Sequence, residues 1–194
     1  LQFAQLSKST CQAINILLEQ NFPHYVTFTV VDWVDVFTRL RYREIITDSL
    51  THCIDNKGLT VWAWCLMSNH LHAVLQAKEG YELSGIIRDF KKHTSKAIVN
   101  AIQAEPESRR EWMLHRFEWA AKSDKRITNY KFWQESNHAI FLDPYFPPVA
   151  KQKINYIHDN PVRAGIVAAP EDYLYSSARD YCGKAGLVKV NLWI

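Results

Sequence analysis

Apolar residues recur along the chain with two periods, one of about two residues and one of three to four. "HYVTFTVV" (24–31) alternates Val26, Phe28 and Val30 against Tyr25, Thr27 and Thr29, and its β-branched content predicts a strand. "TRLRYREIITDSLTHCIDNKG" (38–58) sets Leu40, Ile45, Ile46, Leu50, Cys53 and Ile54 near helical spacing, with Thr38 as N-cap and Gly58 as stop. "LTVWAWCLM" (59–67) and "HLHAVLQ" (70–76) predict antiparallel strands joined by a tight turn at Ser68 and Asn69. Residues 84–103 predict a second helix with Ile86, Ile87, Phe90, Ala97, Ile98 and Ile102 inward, and 108–122 a third. "FWQESNHAIFL" (132–142) reads as a strand, and "PVAKQKINYIHDN" (148–160) as a helix stopped by Pro161.

This order predicts an α+β fold. With the extra helix set aside, it is the ferredoxin-like arrangement β-α-β-β-α-β: an antiparallel sheet with helices on one face, plus additional helices. Neither a repeat nor a linker divides the chain. Of 194 residues 47% are hydrophobic, enough for a sizeable core, and only six Gly and seven Pro argue against low complexity. Net charge is +3, a weak indication of an anionic partner. Cys11, Cys53, Cys65 and Cys182 are scattered, which indicates neither a zinc ribbon nor a disulfide framework and points to a reducing cytoplasm. No apolar run is long enough to span a bilayer, so no membrane partner is expected.

Candidate chemistry begins with His70 and His72. In a strand, alternate residues share a face, so both imidazoles point away from the core that Leu71, Ala73 and Leu75 enter. Such a pair can grip one metal ion on a rigid platform, or can be two histidines bonded to backbone beside a turn. The strand–turn–strand frame and Asn69 favour ligation. Two ligands leave positions open for a third protein ligand and a substrate oxygen, the pattern of a catalytic metal.

On the helix over 148–160, Tyr156 and Asn160 are four apart and share a face, whereas His158 points elsewhere unless the helix unwinds near Pro161. A tyrosine hydroxyl is a poor nucleophile while protonated. Ionising one at pH 7 costs roughly 4 kcal/mol, which a metal or cationic neighbours can lower.

"LMSNHLHAVLQ", "RDFKKHTSKAI", "FWQESNHAI" and "YIHDNPVRAGIV" follow one another at a familiar spacing. Together they resemble the REP-associated tyrosine transposases, relatives of the single-tyrosine insertion-sequence transposases within the HUH (His–hydrophobe–His) nucleases. The resemblance covers residues 22–182 as a catalytic domain, leaving 1–21 as an N-terminal extension of unknown role and 183–194 as a C-terminal tail. It implies that His70 and His72 ligate Mg²⁺ or Mn²⁺. It implies that Tyr156 attacks a single-stranded DNA phosphate, leaving a 5′-phosphotyrosine and a free 3′-hydroxyl. Asn160, where insertion-sequence relatives carry Gln, would assist at the metal, with His158 its rival as third ligand. Ser68 stands where many relatives have Pro. "WQESNHAI" lacks the tyrosines often found after Trp-Gln, so no second nucleophile is expected there. The implied substrate is single-stranded or hairpin DNA, specifically REP-like palindromes, bound by a monomer or homodimer.

Basic residues supply candidate phosphate contacts. Arg88, Lys92 and Lys96 recur every four residues along the second predicted helix, with Lys91 beside them. Arg109 and Arg110 follow at the third helix, Lys122, Lys125 and Arg126 in the loop after it, and Lys151, Lys153 and Arg163 around the tyrosine helix. Trp112, Trp119 and Trp133 are candidates for stacking on unpaired bases, and Trp62 and Trp64 for core packing. Two other functions fit the same residues: a hairpin-binding protein without catalysis, and a metallohydrolase that activates water with Tyr156 only positioning substrate.

Overall fold

The structure, a computed structural model, describes residues 21–124 and 127–193. Its elements in chain order are β1 (His24–Thr29), α1 (Leu40–Asn56), β2 (Leu59–Leu66), β3 (His70–Ala77), α2 (Leu83–Ala104), α3 (Arg110–Lys122), β4 (Ile140–Phe141), α4 (Pro147–Arg163) and a short α5 (Ala178–Tyr181). The sheet order is β2-β3-β1-β4 and every pairing is antiparallel, the topology that the apolar periods predict.

Register divides the sheet chemically. Thr29 lies opposite His70 and Thr27 opposite His72, so these four and Tyr25 share one face. Val26, Phe28, Leu71 and Ala73 take the other face and are fully buried or nearly so. There α1 and α2 form the covering layer, with the Phe28 ring 5.6 Å from that of Phe90 on α2. α4 covers the opposite face. Its Ala150, Ile154, Ile157, His158 and Pro161 recur at helical spacing and are all buried.

Four boundaries depart from the sequence reading. α1 has Arg39, not Thr38, at its N-cap, and Thr38 Oγ1 donates instead to the Asp35 carbonyl (3.3 Å). The strand expected over 132–142 shrinks to two residues. Trp133 makes an isolated bridge to Val30, and His138 takes a left-handed φ of 44°. Gln, Ser and Asn in this stretch compete for backbone hydrogen bonds and cannot alternate apolar side chains into a core. Pro161 does not stop α4. Its ring is buried in the last turn, at the loss of the intrahelical bond that an N–H there would give to the Ile157 carbonyl. The stop is Gly165 at φ 70°, whose N–H donates to the Val162 carbonyl while that of Ile166 donates to the Pro161 carbonyl, both at 2.9 Å. This is a Schellman motif.

The segment after α4 returns to the free edge of β2, where Leu66 N–H donates to Tyr175 O and Ser177 N–H to Trp64 O, each at 2.9 Å. Residues 183–193 dock on the same body: Val188 is buried, and the Trp193 ring lies 5.1 Å from Trp62. The expected extension lies outside the described residues except for Asn21. No helix among the described residues is long and apolar enough to cross a membrane.

Gly58 closes α1 into β2 with φ 67°, and a Cβ there would collide with the Tyr81 ring. Gly58→Ala is expected to destabilise the fold by about 2–4 kcal/mol, combining left-handed strain with overpacking, as read from the urea unfolding midpoint.

Candidate metal and nucleophile site

β3 presents His70 and His72 on the face opposite the α1–α2 layer, and their Nε2 atoms lie 3.0 Å apart. His70 Nδ1 lies 2.6 Å from Asn69 Oδ1, and the Asn69 amide nitrogen donates to the Trp33 carbonyl at 3.1 Å. With its NH₂ group committed there, Asn69 offers only an acceptor to the ring. His70 therefore carries its proton on Nδ1 and turns a lone pair toward His72. His72 Nδ1 meets the Tyr25 hydroxyl at 2.9 Å and Thr27 Oγ1 at 3.0 Å. Both hydroxyls donate or accept, so they support His72 with its proton on either nitrogen. In one tautomer His72 Nε2–H donates to His70. In the other, two lone pairs face one gap, where a cation would be accommodated.

The gap fits a metal ion. Bonds of about 2.1 Å to an octahedral ion place two cis donors about 3.0 Å apart, the separation seen here. Burial holds the His70 imidazole below the usual histidine range. Burial, the charge of His70 and that of Lys153 push His72 down to about 3. Both rings are neutral at pH 7, as ligation requires. Among the described residues no group of three or more His, Cys, Asp or Glu side chains forms a metal cluster. Further donors would be amide or hydroxyl oxygens, solvent or substrate.

α4 brings the tyrosine. Lys153, Tyr156, Asn160 and Arg163 follow at spacings of three and four and line one flank of α4 beside its buried series. The Tyr156 ring is 5.6 Å from His72 and 6.4 Å from Tyr25, edge to face, and remains 38% exposed. Lys153 Nζ sits 4.9 Å over the Tyr25 ring and the Arg163 guanidinium 5.6 Å over that of Tyr156. Asn160 Nδ2 donates to the Tyr156 carbonyl at 2.7 Å, one turn from the tyrosine. The structure thus gathers His70, His72 and Tyr156, flanked by Asn160 and Arg163.

His158 is not gathered with them. α4 does not unwind at Pro161, so His158 stays in phase with Ile154 and turns inward. Its Nε2 pairs with Ser177 Oγ at 2.9 Å and its ring packs 4.9 Å from Tyr181. It is engaged with Ser177 and Tyr181 rather than with the histidine pair.

The basic candidates divide as well. Arg88, Lys92 and Lys96 are exposed on α2, in the layer behind the sheet rather than on the histidine face. Lys91 donates to Gln134 O (2.7 Å) and Asn137 Oδ1 (2.8 Å), and burial pushes it down to about 8. It braces the irregular stretch before β4. Arg110 donates to the Ile102 and Glu105 carbonyls at the end of α2, and Arg109 pairs with Asp35 at 2.7 Å. These three cations are engaged by partners within the chain, Arg109 at the surface. Lys125 and Arg126 lie outside the described residues. Trp133 is buried and donates to Thr94 Oγ1 (3.0 Å), so it offers no stacking surface, whereas Trp112 and Trp119 are exposed. Trp64 is fully buried and Trp62 half-buried, as their strand predicts.

Sequence reasoning missed Tyr25, Thr27 and Trp33, which reach the site only through strand register and a distant turn. Lys153 was recognisable as the residue three before Tyr156 on one helix face.

A sequence model of the family described as "Transposase IS200 like" matches residues 24–143. The chain belongs to the IS200-like transposases. This family is one of DNA-processing enzymes, and the matched region holds the histidine pair and ends before α4. A structure described as a REP-associated tyrosine transposase bound to a REP hairpin has 16% identity and a TM-score of 0.58, over 89% of this chain and 87% of that one. At that identity the likeness speaks for the fold. A protein from Deinococcus radiodurans R1, assigned as a transposase, gives 12% identity and a TM-score of 0.43 over 71% of this chain and 91% of that one. No curated protein matches the chain in sequence.

Burial pushes His158 down to about 4, and His72 is held at about 3, from a usual 6.5. Each takes up a proton on unfolding below pH 6.5, so stability is full above that pH and declines as pH falls toward 4. The decline is at most roughly 1.4 kcal/mol per pH unit for each group. Urea midpoints between pH 7 and pH 4.5 should show this fall, and His158→Gln should make it shallower.

Proposed function

We propose that the chain nicks and rejoins single-stranded or hairpin DNA through a 5′-phosphotyrosine at Tyr156, with Mg²⁺ or Mn²⁺ held by His70 and His72. The observation that carries this reading is the exposed Tyr156 ring 5.6 Å from His72, on the sheet face where the two Nε2 atoms converge. Hairpin DNA with unpaired flanks is the proposed substrate. It is supported by the shared fold with the REP-hairpin-bound transposase and by the family membership.

A bound divalent ion would polarise the non-bridging oxygens of the scissile phosphate. The protein supplies the rest. Tyr156 Oη attacks phosphorus, the bond from phosphorus to the 3′-oxygen breaks, and that oxygen leaves as a 3′-hydroxyl with the proton the tyrosine gives up. A second 3′-hydroxyl attacking the phosphotyrosine reverses the step and regenerates the phenol. Arg163 over the Tyr156 ring and Lys153 over Tyr25 favour negative charge on the phenolate and the phosphate. Asn69, Tyr25 and Thr27 hold the imidazoles so that both Nε2 atoms aim at one point. Asn160, one turn from the nucleophile, is the proposed additional oxygen donor. The exposed stripe Arg88, Lys92 and Lys96 is proposed to meet the duplex stem behind the sheet.

Denaturing electrophoresis with a labelled REP-like hairpin and Mn²⁺ tests the reading. A covalent protein–DNA band is expected with the wild-type protein. Tyr156→Phe should reduce it by roughly a thousandfold or more while hairpin affinity stays within about threefold. EDTA, or His70→Ala with His72→Ala, should remove the band as well. A band that survives Tyr156→Phe would take the nucleophile's role from Tyr156, and metal-dependent cleavage without any adduct would favour water as the attacking group.

A further inference from the structure

Trp33 lies outside every role given above, yet it touches the centre of the site. Its ring is edge to face with His70, 5.9 Å between centroids, and it is 59% exposed. An exposed indole on a turn would ordinarily swing freely. This one is held. Asp32 and Trp33 both have left-handed backbones, φ 52° and 55°, which residues other than Gly rarely adopt. Three contacts maintain that conformation. The Asp32 carboxylate pairs with Arg116 of α3 at 2.8 Å, the Trp33 N–H donates to Val30 O at 3.1 Å, and the Trp33 carbonyl accepts from Asn69 Nδ2 at 3.1 Å. Asn69 therefore fixes the His70 ring and the Trp33 backbone with one amide group.

We infer that Trp33 is a stacking platform for an unpaired base next to the phosphate bound at His70 and His72. This inference rests on the single-stranded substrate proposed above. A strand whose phosphate sits in front of the two Nε2 atoms must carry its neighbouring base past one edge of the histidine pair, and on the His70 side the exposed surface is the Trp33 indole. The occupant is a nucleobase rather than an apolar partner protein. The rim is polar, formed by Asn69 and the Asp32–Arg116 pair, and a flat π-face with a polar rim suits a base. Stacking is tolerant of sequence, so the platform would position the strand whatever the flanking bases are. The strained turn keeps the indole at a set distance from the metal ligands, coupling base position to phosphate position.

The test uses fluorescein-labelled dT20, in which single thymidines are replaced in turn by 5-iododeoxyuridine, with the full-length protein and Mn²⁺. Anisotropy should show dT20 binding weakened about tenfold by Trp33→Ala and largely restored in Trp33→Phe, the scale of one lost base stack. Irradiation should cross-link the iodinated oligonucleotides to the peptide containing Trp33, as read by mass spectrometry. No binding of dT20 by the wild-type protein, equal affinity of wild type and Trp33→Ala, or cross-links only to other peptides would each overturn the inference. The phosphotyrosine reading fails separately. Trp33-dependent binding without any adduct on hairpin DNA would sink the nicking mechanism and leave the platform standing. An adduct that forms normally in Trp33→Ala, with dT20 affinity unchanged, would do the reverse.

Discussion

Two imidazole nitrogens 3.0 Å apart and largely out of water tolerate each other only with a proton or a cation between them. Much of the structure around β3 serves that constraint. Asn69 dictates the His70 tautomer, Tyr25 and Thr27 accommodate either tautomer of His72, and burial keeps both rings from charging. The partners come from three places: the β2–β3 turn, the neighbouring strand and, through the Trp33 carbonyl, the turn that follows β1. The antiparallel register that sets Thr27 against His72 and Thr29 against His70 is thus as much a part of the site as the histidines.

The fold could be read from the chain where one period ran long enough to outweigh local chemistry. α1, α2 and both strands of the β2–β3 hairpin came out within a residue or two, because their apolar positions repeat over several turns or pleats. The reading failed where polar residues broke the pattern. The stretch 134–139 has apolar neighbours at both ends but an interior of Gln, Glu, Ser and Asn, whose hydrogen bonds with backbone and with Lys91 replace a ladder. Pro161 misled in the other direction. The helix runs through this proline, whose ring is buried, and the Schellman geometry of Gly165 provides the stop.

In the site, what periodicity could place was placed. H-x-H on one face of a strand and Tyr156 with Asn160 on one face of a helix follow from periods of two and of three to four. The same periodicity turns His158 inward beside Ile154 and Ile157, once α4 is known to remain helical. Contacts between distant segments were beyond reach. No local pattern shows that Trp33 would stand against His70, or that Lys91, Arg109 and Arg110, which look like solvent-facing cations, would be spent on carbonyls and carboxylates inside the protein.

The charge around the site bears on the order of events in the proposed reaction. Burial keeps both imidazoles neutral, Lys153 lies over the Tyr25 ring and Arg163 over the Tyr156 ring, and among the described residues no carboxylate joins the pair in a three-residue metal cluster. Two neutral imidazoles beside fixed positive charge hold a divalent ion less firmly than a carboxylate-bearing site does. A phosphodiester supplies the missing negative charge. In the proposed reaction a divalent ion and DNA would therefore strengthen each other's binding. A site built this way would be poorly occupied without substrate, which would limit attack by the exposed Tyr156 on anything but a bound strand.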